Sequence, residues 1–401
     1  MSEPYREAMK EKGMLNTLPL AGPATRRLGY LDNLRSLVIF LVVVTHSNVT
    51  YSGIGSWYYT EGNPANLDIL SRILFGLYGS FTQAWFMGIL FFLAAFFAAR
   101  SLAKRGPAAF AKERLFRLGV PLLIYMFVID PFIQYFIMNY GNIREHSTVL
   151  RFYLDYLASF RWIGSTGPLW FVEALLLFSL PYAAWRAIRR PAKTAGDPPR
   201  VMTVILIITA TGLAAFSIRL FQPIGTSFEN LQLCFFASYV ALFLLGLHAG
   251  ERRWLESFPE KQGLTWFTVV LGAGLVLWFV IVAASGAAQG DLLLTGGLNW
   301  QSFVYAFWEA FVAIGFSLGL IAFFRKYLNG ENRFTKLLAA NSFAIYMFHA
   351  PILITISLLV RPWHGVPLLK HVVVAPLAFT ATLAFSSLIL RRIPGLRAVL
   401  K

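Results

Sequence analysis

The sequence predicts an all-α protein, a polytopic membrane helix bundle. Of its 401 residues, 57% are hydrophobic and only 13% are charged, whereas a soluble globular chain carries about 25% charged residues. The 37 phenylalanines and 11 tryptophans suit lipid-facing and interfacial positions better than a surface in contact with water. This composition argues against a soluble enzyme and a disordered scaffold. The single cysteine, Cys234, excludes an intramolecular disulfide and a cysteine-based zinc site.

The number of apolar runs predicts about ten transmembrane helices. A spanning helix needs about 20 apolar residues to cross about 30 Å of hydrocarbon. Prolines such as Pro121, Pro131 and Pro351 interrupt some of the runs, and such kinks are tolerated where neighbouring helices satisfy the freed carbonyls. The runs lie near 34–52, 76–99, 118–139, 168–188, 201–219, 231–250, 264–285, 302–324, 336–359 and 371–390.

The basic residues are distributed unequally between alternate loops. The two tails and every second loop contain 27 lysines and arginines, and the remaining loops contain 7. Because basic residues accumulate on the cytoplasmic side of a membrane, we expect both termini to be cytoplasmic. The expected domains are a cytoplasmic tail at 1–29, a transmembrane domain at 30–392 and a short cytoplasmic tail at 393–401. The net charge of +16 is then mostly a consequence of topology, with no nucleic-acid partner.

The first run carries ionisable residues on one face. Arg35 and His46 are eleven residues apart, which is about three helical turns, so their side chains project in nearly the same direction. Asp32 lies close to the same line. Because burying an ionisable group in a membrane is costly, such a residue indicates a functional site. We favour this interpretation for His46 over a role in helix packing alone.

Four further ionisable residues are expected at a depth similar to that of His46. A shared, partly hydrated cavity would explain them, and Tyr346 and Pro351 would help to shape it beside the histidine of the ninth run. For the two glutamates, a structural hydrogen bond between helices is the alternative. For the histidine, helix packing is the preferred interpretation unless Tyr346 and Pro351 shape a site around it. The four residues are Asp130, Glu173, Glu309 and His349.

Two arginines precede the third run. Arg114 and Arg117 are three residues apart and therefore share one face of a helix. A pair of guanidinium groups suits a phosphate-bearing ligand, because arginine binds phosphate in a bidentate fork. Positive-inside anchoring and contact with anionic lipid are the alternatives. The aromatic cluster Trp57-Tyr58-Tyr59 follows the first run and is typical of an interfacial belt.

Four short motifs together resemble the membrane acyltransferase 3 family, over a stretch from about Gly29 to Arg392. Ten spans with cytoplasmic termini is also the architecture of that family. The motifs are Tyr30-Leu31-Asp32-Asn33-Leu34-Arg35 followed by His46, Arg114-x-x-Arg117 ahead of Pro121, Gly167-Pro168-Leu169-Trp170-Phe171, and Ile345-Tyr346-Met347-Phe348-His349 with Pro351.

The resemblance implies an enzyme of the cell membrane that transfers an acyl group, often acetyl or succinyl, from acyl-CoA to a hydroxyl of a carbohydrate or lipid-linked acceptor. No bound cofactor or metal is expected, since acyl-CoA is a co-substrate. The histidine and the preceding arginine of the family match His46 and Arg35, and its arginine pair, which handles the acyl donor, matches Arg114 and Arg117.

Together, these residues suggest a mechanism with His46 as general base. Glu173 or Glu309 would orient the imidazole, and Asp32, Asp130, Tyr346 and His349 are possible supporting residues. A covalent acyl-histidine intermediate is a second possibility for the mechanism. The competing function is an ion-coupled secondary transporter of a small solute, because broken helices and intramembrane acids would suit one too. A non-catalytic membrane sensor is a third.

Overall fold

The computed structural model describes residues 28–138, 148–189, 196–287 and 290–395. Within these ranges the chain is helical, without a β-strand, and ten helices are long and apolar enough to cross a membrane. The predicted fold class is therefore confirmed. Most of the two predicted tails lies outside the described residues, as do ten of the basic residues in the topology count: Arg6, Lys10, Lys12, Arg26, Arg27, Arg144, Arg190, Lys193, Arg397 and Lys401.

Each of the ten spanning helices matches one of the predicted apolar runs, although some runs extend one or two residues past a helix end, and α4 is a shorter helix that does not span. The second helix is the longest, with 37 residues, or about 55 Å of helix. The helices are α1 (Gly29–Ser52), α2 (Ile69–Arg105), α3 (Pro107–Met138), α4 (Val149–Ala158), α5 (Gly167–Ile188), α6 (Val201–Arg219), α7 (Leu233–Arg252), α8 (Glu260–Ala284), α9 (Trp300–Tyr327), α10 (Arg333–Val360) and α11 (Pro367–Arg392).

Polar residues fix where several helices begin. At the start of α2, the Asp68 carboxylate accepts hydrogen bonds from the Ser71 hydroxyl at 2.5 Å and from the Ser71 backbone N–H at 2.9 Å, and these two bonds lower the pKa of Asp68. Asn332 forms a capping box with Thr335 at the start of α10. Such caps satisfy backbone N–H groups that have no partner within the helix. The helices therefore extend beyond their apolar runs into polar flanking sequence.

Helix α3 contains three π-helical segments, at Leu115–Gly119, Tyr125–Ile129 and Ile133–Met138. Pro131 lacks the N–H that would otherwise bond to the Phe127 carbonyl one turn earlier. The Tyr153 hydroxyl of α4 donates to that carbonyl at 3.0 Å. A short helix outside the spans thus satisfies a backbone group that a proline has freed.

Helix α1 lies inside the bundle, in contact with α2, α9, α10 and α11. A second close pair is α2 and α7. Gly246 and Gly250 of α7 face the backbone carbonyls of Phe92 and Phe96 so closely that a side chain at either position would clash. Small residues that let helix backbones approach are characteristic of membrane bundles.

Alternate loops meet at opposite ends of the bundle. At one end, Arg325 donates to the Leu255 carbonyl at 3.0 Å, and Asn33 donates to the Leu328 carbonyl at 2.7 Å. We call this end, where α1, α3, α6, α8 and α10 begin, the basic side. The opposite side holds the loops at 53–68, 220–232 and 361–366. That the basic side is cytoplasmic stays a prediction from the positive-inside rule.

Candidate active site

Helices α1 and α10 bring two histidines into direct contact. The Nδ1 atom of His46 lies 2.9 Å from the Nε2 atom of His349. The two ring centroids are 4.9 Å apart with an interplanar angle of 20°, so the rings meet nearly edge to edge. His349 is fully buried and His46 is half-buried. Of the polar residues expected at this depth, His349 is therefore the one that reaches His46.

The surroundings of His349 determine which nitrogen carries a proton. Its Nδ1 atom lies 2.8 Å from the backbone carbonyl of Tyr346. A carbonyl oxygen can only accept, so Nδ1 is the donor. In a neutral ring Nε2 then accepts, and the hydrogen bond comes from Nδ1–H of His46. This arrangement leaves Nε2 of His46 with a free lone pair, which is the atom that a general base needs.

Tyr346 also ties this part of α10 to the start of α5. Its hydroxyl donates a hydrogen bond to the backbone carbonyl of Pro168, and its ring packs edge-on against Phe171 at a centroid distance of 6.1 Å. Two of the sequence motifs therefore meet in space. Tyr346 acts on His349 through its carbonyl and on α5 through its hydroxyl, which makes it a supporting residue of the histidine pair.

The loop after α1 folds over His46. The indole of Trp57 stacks on the imidazole with a centroid distance of 3.7 Å and an angle of 20°. Tyr58 donates to the Asp130 carboxylate, and Tyr59 is only 6% exposed. The expectation of an interfacial belt is therefore wrong for these three side chains. The three side chains point into the bundle because they contact residues that are distant in the sequence. Those contacts cannot be inferred from the sequence around α1.

Asp130 is the centre of a buried hydrogen-bond cluster. It is 1% exposed, and it accepts from Gln134 at 2.6 Å and from Tyr156 at 3.4 Å in addition to Tyr58. Burial raises the pKa of the Tyr58 hydroxyl well above its ordinary value, and it raises the pKa of Tyr156 to about 12. Both tyrosines therefore keep their protons at neutral pH and serve as donors. Asp130 is connected to the histidine pair indirectly. It accepts a hydrogen bond from Tyr58, and the next residue in the chain, Trp57, stacks on His46.

The two glutamates occupy other sites than the one expected for an orienting acid. Glu309 forms an ion pair of 2.5 Å with Arg219, and the two side chains are 2% and 0% exposed. Glu173 is half-buried near the start of α5, and its buried Oε2 atom has no hydrogen-bond partner among the described residues. Neither glutamate is hydrogen-bonded to His46, whose side-chain partner is His349. This corrects the expected pairing of His46 with Glu173 or Glu309.

Sequence reasoning missed Arg219 because it was counted with a loop at the end of the fifth run. Its guanidinium is wholly buried between α6 and α9, and it lies over the rings of Phe235 and Tyr305 at 5.7 and 5.6 Å. A buried charge in a membrane bundle is expected to be paired. The sequence offered one indication of this pair, since the intramembrane acid Glu309 also requires a partner of opposite charge.

The predicted donor-binding arginines lie at the basic side. Arg35 pairs with Asp32 at 2.9 Å, so these two residues stabilise one another at the start of α1. Arg117 lies 3.4 Å from Glu113, and the guanidinium of Arg114 lies over the Phe110 ring at 4.9 Å. Arg35 and His46 are eleven residues apart, which places Arg35 about 16 Å from His46 along α1.

Comparison with protein families decides the classification. A family model described as an acyltransferase domain matches residues 28–391. The chain belongs to the membrane acyltransferase 3 family. The matched region takes in all ten spanning helices of this acyltransferase except the last residue of α11, with His46, His349 and both arginine motifs. Membership favours an enzyme over the ion-coupled transporter. No curated protein and no solved structure matches the chain.

Proposed function

We propose that this acyltransferase transfers an acyl group, acetyl or succinyl, from acyl-CoA to a hydroxyl of a carbohydrate or lipid-linked acceptor, with His46 as general base. The observation that carries the proposal is the 2.9 Å contact between His46 and His349. Through this contact one nitrogen of His46 is held as a donor and the other remains free to accept a proton.

The arginines of the basic side are suited to the donor. The phosphates of CoA would bind Arg114 and Arg117, and Arg35 would assist, because arginine offers phosphate a planar pair of donors. The long, thin pantetheine arm would pass between helices and carry the thioester toward His46. No bound cofactor is required, since the thioester itself supplies the activated acyl group.

The proposed reaction is a single transfer. Nε2 of His46 accepts the proton of the acceptor hydroxyl while the hydroxyl oxygen attacks the thioester carbonyl. The tetrahedral intermediate then collapses, the C–S bond breaks, and the CoA sulfur takes the proton from His46. His349 holds the Nδ1–H of His46 throughout, the orienting role that a carboxylate has in other catalytic pairs. The alternative is attack of Nε2 on the thioester, with an acyl-histidine intermediate.

An apolar groove supports a lipid-linked acceptor. The groove has a volume of about 900 Å³ and is lined by residues of α3, α4, α10 and α11. Phe348 and Pro351, on either side of His349 in the sequence, are part of its wall. A hydrocarbon chain in this groove would keep the attached hydroxyl group close to the histidine pair. A carbohydrate without a lipid would not fill the groove, which membrane lipid would then occupy.

The distribution of basic residues supports the proposed orientation. With the basic side in the cytoplasm, the donor enters from the cytoplasm of the cell, and His46 lies in the outer half of the membrane. The acceptor would then reach the site from the opposite side of the membrane or from the bilayer. The protein is a multi-pass membrane protein, and we place it in the cell membrane, which in a bacterium would be the inner membrane.

The test is thiol release from acetyl-CoA and succinyl-CoA by the purified full-length protein in liposomes, with water as the slow acceptor. We expect the wild type to cleave one of the two thioesters and His46→Gln to be slower by about a hundredfold or more. The matched control is His364→Gln, since His364 is exposed in the 361–366 loop. Full activity of His46→Gln would overturn the general-base assignment. Ion-coupled solute uptake without thiol release would favour the transporter.

A further inference from the structure

We propose that Trp57 is a positioning residue of the acyltransferase site, which holds the His46 ring in its productive plane and stabilises the cationic ring through the π face of the indole. The inference rests on the proposed role of His46. It assigns a function to the 53–68 loop, which lies outside the four sequence motifs.

The first argument is geometric. The indole is nearly parallel to both imidazoles, at 20° to His46 and 10° to His349, with centroid distances of 3.7 and 6.0 Å. The hydrogen bond to His349 sets the direction of the His46 ring within its plane. The stacked indole sets the plane itself, because rotation about the Cβ–Cγ bond of His46 would drive the ring into Trp57. Together the two contacts fix where Nε2 points.

The second argument is that the loop is held in place at several points. The backbone N–H groups of Glu61 and Gly62 donate to the Thr50 carbonyl at 2.8 and 3.0 Å. Glu61 also forms an ion pair with Lys370 of α11. Tyr58, next to Trp57, donates to the buried Asp130. Trp57 therefore lies between the end of α1 at Ser52 and three ties that follow it in the loop, as a positioning residue requires.

The third argument is electrostatic. When His46 accepts a proton, positive charge develops on a ring that lies against an indole face. A cation over the face of tryptophan is attracted by the ring quadrupole, and the attraction strengthens when water is excluded. The charge appears only as the proton moves from the acceptor oxygen to Nε2, so this attraction favours the reacting state over the resting one. Trp57 itself gains and loses no proton.

Stacking of an acceptor sugar on Trp57 is the competing role. One face of the indole is taken by His46 at 3.7 Å, and the Tyr58 ring packs edge-on at 5.3 Å and 72°. An indole in contact with rings of the protein has little free face for a sugar. The two roles also differ in their kinetics, since loss of a sugar platform would raise the acceptor KM.

The experiment compares Trp57→Phe, which keeps an aromatic face, with Trp57→Met, which keeps apolar volume without one. Release of CoA from acetyl-CoA is measured in liposomes with water as acceptor, and Trp363→Met serves as the control because Trp363 is an exposed loop tryptophan. We expect Trp57→Met to lower kcat by about tenfold with an unchanged KM for acetyl-CoA, and Trp57→Phe to recover most of the loss.

Two results would overturn the inference. One is a wild-type kcat in Trp57→Met. The other is an equal loss in the Phe and Met variants, which would indicate packing volume alone. Should Trp57→Met not fold, as judged by its elution and thermal unfolding in detergent, Trp57→Phe is compared with Trp57→Tyr, and a loss of more than tenfold in both aromatic variants contradicts the proposal. An inactive His46→Gln beside a normal Trp57→Met overturns this inference alone, whereas an active His46→Gln overturns the proposed function.

Discussion

His46 and His349 share one hydrogen bond of 2.9 Å although 303 residues separate them in the chain. The bond has a direction because Nδ1 of His349 already faces the Tyr346 carbonyl. The partner of His46 is therefore a neutral ring rather than a carboxylate. A neutral partner orients the base without placing a fixed negative charge inside the membrane, where an ionised carboxylate is costly.

Replacement of His349 should slow catalysis without weakening donor binding. In His349→Leu the Nδ1–H of His46 loses its acceptor, and the ring can turn away from the acceptor hydroxyl. We expect kcat to fall by about ten- to a hundredfold while the KM for acetyl-CoA stays unchanged, as measured by thiol release. His371→Gln is the matched control, because Nδ1 of His371 bonds to Ser47 at 3.0 Å beside the site. Equal losses in both variants would argue for packing alone.

Replacement of the basic-side arginines should act on the donor. In Arg114→Gln combined with Arg117→Gln, the charge-assisted bonds to phosphate are lost, so the KM for acetyl-CoA should rise by about tenfold or more. The kcat should change little, since these residues lie near the start of α3 at the basic side, whereas His46 lies toward the opposite end of α1. Arg151→Gln, on the exposed face of α4, is the control. An unchanged donor KM in the double variant would show that the arginines serve only as membrane anchors.

Single changes in the Arg219–Glu309 pair should destabilise the protein. Either Arg219→Leu or Glu309→Leu leaves one buried charge unpaired, at a cost of about 3 to 5 kcal/mol. The double variant should be more stable than the two separate losses predict. Thermal unfolding in detergent measures the stability, and thiol release per folded molecule measures the activity. A well-folded but inactive double variant would instead give Glu309 a catalytic role.

The bond from Tyr58 to Asp130 should keep the 53–68 loop closed. In Tyr58→Phe the buried carboxylate loses a donor, and protease should cut the loop faster than in the wild type. Tyr59→Phe is the control, since its hydroxyl makes a bond of only 3.4 Å to Glu61.

The hydrogen bond from Tyr58 to Asp130 should be unaffected by pH between 8 and 10. Burial raises the pKa of Tyr58, so its hydroxyl stays protonated at pH 10, near the ordinary pKa of tyrosine. The wild-type loop should therefore resist protease at pH 10 as it does at pH 8. Cleavage that rises sharply between these values would contradict this role of Tyr58.

The ten spanning helices were predictable because each must by itself be long and apolar enough to cross the bilayer. Length and hydropathy located every spanning helix. The helix ends were less predictable, since caps such as Asp68 and Asn332 lie in polar sequence. His46 and His349 were also identified separately, as ionisable residues at a membrane depth where they are rare.

The contacts between distant residues were not predictable in the same way. Depth along a helix says nothing about which neighbour it faces, so the pairing of His46 with His349 and of Glu309 with Arg219 required the packed structure. An aromatic after a span is typical of an interfacial belt. The position of Trp57 instead depends on ties between its loop and the distant helices α3 and α11.

The glycines of α7 also constrain how substrates enter. Gly246 and Gly250 set α7 directly against the backbone of α2, so these two helices form an incompressible wall that cannot part without breaking close packing. If the helices must separate to let a large substrate enter, we expect the separation to occur between other helices of the bundle. The side of the bundle formed by α2 and α7 is thus tightly packed, and we expect substrates to enter between other helices.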